Sequence, residues 1–332
     1  MPCVPFPDYI LTIYSFELIF EVITVINAFI FLVPLIRVST IHIHLRCSVI
    51  AMCFATIFRG SMRTIVILNI MYCYQLLSPG INNIFVFLFS AGNVSIMMIE
   101  VTIIAERTLS HIMTKKYEKY RSIWVIFMVS VLPIVFATAV TFNTVYLKTI
   151  PLMPSNWTMM SFIVFSWIIF FTVLKYHNDR EKRSRSSKTL SERYQQAENW
   201  RTNRTIIWWC VFCFVHRILS GGVQVYKGIV LLQVDAQKLV EVTAFTDSLL
   251  NLSYGIMMNF FPLVFIGTLP AIRRKYREMF PLINHCCPAK RVEPGFVLTT
   301  QGMKVVKIQT ITGHFDDLTT NWDTVYEKKR RF

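Results

Sequence analysis

Charge is scarce in this chain. Only 16% of its 332 residues are Asp, Glu, Lys or Arg, where a soluble domain carries roughly 25%. Acidic residues are the scarcer kind, 19 against 34 Lys and Arg. With 54% hydrophobic residues and a mean hydropathy of +0.48, the chain holds more apolar surface than soluble domains of this length can bury. That excludes a soluble architecture. The N-terminal "MPCVPFPDY" has no basic residue, and the apolar run after it is too long for a cleaved signal, so it reads as a retained first span.

Other absences narrow the function. No hydrolase elbow, P-loop, dinucleotide fingerprint or HExxH helix occurs, which leaves an enzyme without support. Cys210, Cys213 and His216 stand at helical spacing, but they lie in an apolar run with no fourth ligand, so packing accounts for them better than a metal. No metal or other cofactor is expected. The eight cysteines form no secreted disulfide framework; only Cys3 and Cys73 fall where both could be extracellular.

What is present is length and periodic apolarity. A membrane helix needs roughly 20 mainly apolar residues, and seven runs qualify, at about 10–36, 47–72, 81–104, 123–147, 157–175, 205–232 and 240–269. Arg59 and Arg63 interrupt the second, and His216, Arg217 and Gly221–Gly222 the sixth. Dividing the second at Arg59 would give eight spans, but 64–77 is too short to cross alone. The sequence therefore predicts an all-α membrane protein, a seven-transmembrane helix bundle. Its parts are a short N-terminus (1–9), the bundle (10–269), an amphipathic juxtamembrane helix with a Cys pair (270–287) and a polar tail (288–332).

The net charge of +15 suggests nucleic acid, but its distribution does not. Of the 34 Lys and Arg residues, 28 fall in alternate connections and the tail, against only Lys148 and Lys238 in the opposite loops. The positive-inside rule then puts the N-terminus outside and the C-terminus in the cytoplasm. Asn156-Trp157-Thr158 is a glycosylation sequon in the second outer loop of that topology. Asn203-Arg204-Thr205 also fits the pattern but falls inside.

Ionisable residues within spans cost about 2.5–3.5 kcal/mol each at mid-membrane, so they have a partner or a task. Glu17 and Glu21 are spaced i,i+4 in the first run, Arg59 and Arg63 likewise in the second. At the helical rise, Glu21 is roughly 15 Å from the outer end and the arginines roughly 20–25 Å above the inner end, so the pairs can meet in the outer half. They form an ion-pair clamp, or the arginines snorkel to the outer headgroups, or the residues wall a ligand pocket in the outer half of the bundle. The candidate pocket residues are Glu21, Arg59, Arg63, His216, Arg217, Tyr226 and Asp247, with an Arg217–Asp247 pair as one possibility.

At the inner end of the third run, Glu106-Arg107 sets an acid beside a base. Such an arginine can be held by its neighbour or turn to a cytoplasmic partner, as in an ionic latch. In "AIRRKYREMF", Ile272, Tyr276, Met279 and Phe280 share one face of a basic amphipathic helix suited to an anionic leaflet. Cys286 and Cys287 follow and are candidates for palmitoylation. Before the sixth run, Thr189 and Glu192 have capping-box spacing. No Gly or Pro then intervenes before Gly221, so a polar helix should pass directly into the membrane.

"AERTLSHIMTKKYEKY" and "SERYQQAENWR" resemble the signature stretches of nematode serpentine chemoreceptors of class epsilon, the Sre family of G-protein-coupled receptors. The resemblance covers roughly 10–280. It implies a multi-pass chemosensory receptor in the plasma membrane of a sensory neuron or cilium. Its implied partners are a small-molecule or lipid-like ligand, membrane lipids and a heterotrimeric G protein, with no nucleic acid. On the resemblance, Glu106 and Arg107 take the place of the rhodopsin latch, and Arg193, Tyr194, Glu198 and Arg201 of the polar helix join them in coupling. Thr108 replaces the aromatic residue of that latch, and Asn259-Phe260-Phe261-Pro262 stands in place of Asn-Pro-x-x-Tyr, so the rhodopsin switches do not carry over. Two other classes compete. A seven-span ligand-gated cation channel requires inverted topology, against the charge count; a small-solute transporter predicts repeated halves and broken helices, which are not seen.

Overall fold

The computed structural model describes residues 7–38, 41–73, 75–112, 122–149, 152–183, 190–231 and 236–280, with the backbone alone at 123, 152–157, 177–183, 190–199, 201, 231, 236–237 and 239. Among the described residues, seven helices are long and apolar enough to cross a membrane. These are α1 (Asp8–Arg37), α2 (Ile43–Met71), α3 (Pro79–Ile112), a fourth span built from α4 (Ile123–Ser130), α5 (Leu132–Thr141) and a π turn (Phe142–Tyr146), then α6 (Leu152–Arg183), α7 (Leu190–Leu231) and α8 (Ala236–Thr268). Helix α9 (Pro270–Met279) follows. All belong to one compact unit ending at Met279; Cys286 and Cys287 lie outside the described residues.

Neighbours pack in order: α1 on α2 and α8, α2 on α3, α3 on α5 and α6, and α7 on α8. The outward faces carry large apolar residues such as Phe16, Phe29, Trp124, Phe165 and Leu263, the inverse of a soluble bundle and the arrangement lipid selects. The expected single fourth helix is divided at Val131. Pro133 cannot donate to the carbonyl of Val129, and Thr102 Oγ1 of α3 reaches that carbonyl at 3.4 Å instead. Between α2 and α3, Cys73 adopts φ 54°. There Asn69 accepts from Leu77 N at 3.0 Å and donates to Asn82 at 2.9 Å, which closes the turn.

Two glycines set how closely the first three helices approach. A Cβ on Gly60 would stand 2.7 Å from Val25 Cγ2 and 3.3 Å from Glu21 Oε2. One on Gly92 would meet Arg59 Cβ at 2.8 Å and Cα at 3.1 Å. The second contact is with atoms at the backbone, which cannot swing aside. Gly92→Ala is therefore expected to force α2 and α3 apart and cost about 1–3 kcal/mol. A lower unfolding midpoint of the purified protein would report it, and an unchanged midpoint would contradict the contact.

Helix α9 is amphipathic as expected, with Ile272 fully buried, and it packs on α1 and α8. Arg273 turns back from the lipid surface: its Nε donates to Ile266 O at 3.1 Å, and Nη2 donates to Gly267 O. A cation thus satisfies the last carbonyls of α8 at the negative end of its dipole.

Candidate functional site

Polar side chains on α1, α2, α3 and α8 meet inside the half of the bundle where α1 begins. Arg63 Nε and Nη2 donate to the two oxygens of Glu17 at 2.6 and 3.1 Å. Ser248 of α8 also donates to that carboxylate. Arg59 Nη1 donates to Glu21, Nε to Asn93 of α3 at 2.7 Å and Nη2 to Asn251 of α8 at 3.1 Å. Its guanidinium also lies 4.3 Å from the ring centroid of Tyr254 and 5.2 Å from that of Phe89. All four ionisable side chains are 0–7% exposed. The i,i+4 spacing on each helix puts two charges in one stripe, and the opposed stripes pair rung by rung.

A second layer lies about 10 Å deeper on α3, seven residues beyond Asn93 at the helical rise. Arg217 Nη2 of α7 donates to Glu100 Oε2 at 3.2 Å, with both side chains buried. Cys213 of α7 and Trp167 of α6 stand beside the same carboxylate, and the His216 and Tyr254 rings meet edge-on at 5.4 Å. Between α1 and α8, Asn259 accepts from Asn27 at 2.6 Å and donates to Thr24 Oγ1 at 2.8 Å and Gly255 O at 2.9 Å.

The structure corrects two expectations. Arg217 does not pair with Asp247. It takes Glu100, while Asp247 accepts from Lys227 Nζ at 2.6 Å, a pair that is half-exposed on the Asp side. Tyr226 is 56% exposed and points away from the network, because nine residues after Arg217 it sits about 180° around the helix. The i+3/i+4 stripe from Cys213 through Arg217 and Ser220 leads to Lys227 instead. Glu100 was absent from the candidates, although one acid in the run "IMMIEVTIIA" was the signal for it.

At the other end of α3, Glu106 and Arg107 are 3% and 2% exposed, so they lie inside the bundle and not at its margin. Arg107 Nε and Nη2 donate to the two oxygens of Glu106, and His42 Nδ1 lies 3.9 Å from the same carboxylate. Asn203 of α7 hydrogen-bonds His111 of α3, and Thr205 of α7 bonds Thr268 of α8 at 2.7 Å. Asn203 is 1% exposed, which disposes of the second sequon. Asn156 falls within the first turns of α6 and not in a loop. Arg193, Tyr194, Glu198 and Arg201 lie on the extension of α7, a helix of 42 residues unbroken through Gly221–Gly222.

The model of the Sre G protein-coupled chemoreceptors matches residues 77–323, well over half of the chain. This chain is an Sre receptor. It is a multi-pass membrane protein, and its fold is that of the rhodopsin-like seven-helix receptors. The Sre chain aligns with squid rhodopsin at a TM-score of 0.67, with 10% identity and 92% of each chain covered. No curated protein sequence matches it.

Proposed function

We propose that this Sre chain is a chemosensory receptor of the plasma membrane of a sensory cell. Its N-terminus faces outward, it binds a small ligand within the helix bundle, and it signals through a heterotrimeric G protein at the Arg107 end. The parts follow the sequence: an extracellular 1–9, the bundle 10–269, a juxtamembrane 270–287 with Cys286 and Cys287 open to acylation, and a cytoplasmic tail 288–332. The charge asymmetry of the loops supports the orientation. The disulfide at Cys73 supports it too, since disulfides persist on an oxidising side, where on this reading Asn156 also lies.

The observation that carries coupling is the closure of the Arg107 end. His111–Asn203 ties the third span to the sixth there, Glu100–Arg217 ties the same two spans deeper in, and α7 runs unbroken from the second tie into its polar extension. A helix held at two points and continuous with a polar arm is a two-state element that a ligand can bias by binding one arrangement more tightly. Arg193, Tyr194, Glu198 and Arg201 then carry the movement to the G protein. Asn203→Ala removes one tie and should raise ligand-independent G-protein activation several-fold at equal surface level. No rise would count against closure as the resting state. An inverted channel is less well supported, because it would place the Cys73 disulfide on the reducing side.

A further inference from the structure

Among the described residues, four buried ion pairs and the half-exposed Asp247–Lys227 pair balance the charge within the bundle. Glu17 faces Arg63, Glu21 faces Arg59, Glu100 faces Arg217, Asp247 faces Lys227 and Glu106 faces Arg107. The arginines that alone suggest an anionic ligand are each already neutralised. A carboxylate or ammonium entering this interior would add an uncompensated charge where water cannot screen it.

Among the described residues, four of the buried polar atoms without a hydrogen bond gather around Glu100 and Arg217. Arg217 meets Glu100 through one nitrogen only. Glu100 Oε1, Arg217 Nε, Tyr254 Oη and Trp167 Nε1 are buried and make no hydrogen bond of ordinary length and angle, with Trp167 and Cys213 in weaker bonding reach of the carboxylate. Their residues are 2%, 5%, 6% and 4% exposed. Trp167 stands beside Glu100, and Tyr254 lies within electrostatic reach of both Glu100 and Arg217. The cluster thus offers one committed acceptor, two committed donors and a hydroxyl that can serve as either. A guest hydroxyl or primary amide can donate to Glu100 and accept from Arg217 or Trp167. A ketone can only accept and leaves the carboxylate oxygen unmet.

We propose that the ligand of this receptor is an uncharged molecule with an apolar body and a donor-bearing head, an alcohol or primary amide, whose head docks between Glu100, Arg217, Trp167 and Tyr254. The assignment rests on the receptor reading above and adds to it the chemical class of ligand. It also joins binding to movement, since the head inserts into the tie between the third and sixth spans.

The test uses the full chain, purified in lipid nanodiscs, with six-carbon probes: hexanol, hexanamide, methyl butyl ketone, hexanoate and hexylammonium. Thermal unfolding reads binding without any G protein. Hexanol and hexanamide should raise the midpoint at concentrations at least about ten-fold below those needed for either ion, with the ketone between. Glu100→Gln leaves Arg217 unpaired, so hexanoate should then overtake hexanol. Glu100→Gln with Arg217→Gln keeps the hydrogen-bonding shapes without charge; it serves as the folding control and should still bind hexanol. A wild type that prefers an ion, no shift with any uncharged probe, or no gain of hexanoate binding in Glu100→Gln overturns the proposal. Because these readings need no coupling partner, their failure is separable from failure of the Asn203→Ala signalling test.

Discussion

Arg63→Ala is expected to strip the folded receptor from the cell surface and to lower the stability of what remains by about 3–5 kcal/mol, the cost of removing one partner of a buried ion pair. The reason lies in what is left behind. Both oxygens of Glu17 accept from Arg63, and Ser248 of α8 reaches the same carboxylate, so the truncation strands a charge shared by three helices. The double variant Glu17→Gln with Arg63→Met removes the charge on both sides and should recover most of the surface level. Surface labelling with an extracellular tag, and the unfolding midpoint of the purified variants, check both arms. Normal surface expression of Arg63→Ala would show that the pair is not a clamp. A double variant no better than the single would show that the stranded charge is not the cause.

Arg107→Ala is expected to abolish ligand-evoked signalling while surface expression is retained. Truncating Arg107 strands Glu106 of the same helix, where truncating Arg63 strands a carboxylate also bonded from α8, so the damage to assembly should be the smaller. Glu106 keeps His42 at 3.9 Å. In the resting arrangement the guanidinium is occupied by Glu106; once the sixth span moves, it is the charge available to a cytoplasmic partner. Glu106→Gln weakens that hold and should raise basal activation, the opposite sign. A G-protein readout on both variants at matched surface level decides the matter, and normal ligand responses in Arg107→Ala would end the latch reading.

Much of this was legible in the residues themselves. The seven runs, the amphipathic helix and the unbroken passage of α7 from water into lipid follow from apolar length and the positions of Gly and Pro, and the helices fall where those runs do. The meeting of Glu17 and Glu21 with Arg63 and Arg59 was accessible because spacing and depth match on two helices adjacent in sequence. Partner choice across distant helices was not. Arg217 had two acids within reason, and only the packing of α7 against α3 selects Glu100 over Asp247. The break at Val131 was foreshadowed by Pro133, but its repair by Thr102 depends on which helix lies alongside. Burial of Glu106 and Arg107 was likewise hidden, since α3 continues to Ile112 before it ends.

The rungs between α1 and α2 bear on how the chain enters the bilayer at all. During synthesis α1 emerges first with Glu17 and Glu21, and each carboxylate is a poor resident of lipid until its counterion arrives. Those counterions come with Arg59 and Arg63, one helix later, after only five intervening residues. Each helix is apolar enough to span, but each carries two charges that the other neutralises. Helices α1 and α2 should therefore settle as a pair during biogenesis, with a truncation after α1 less well retained in the bilayer than one after α2.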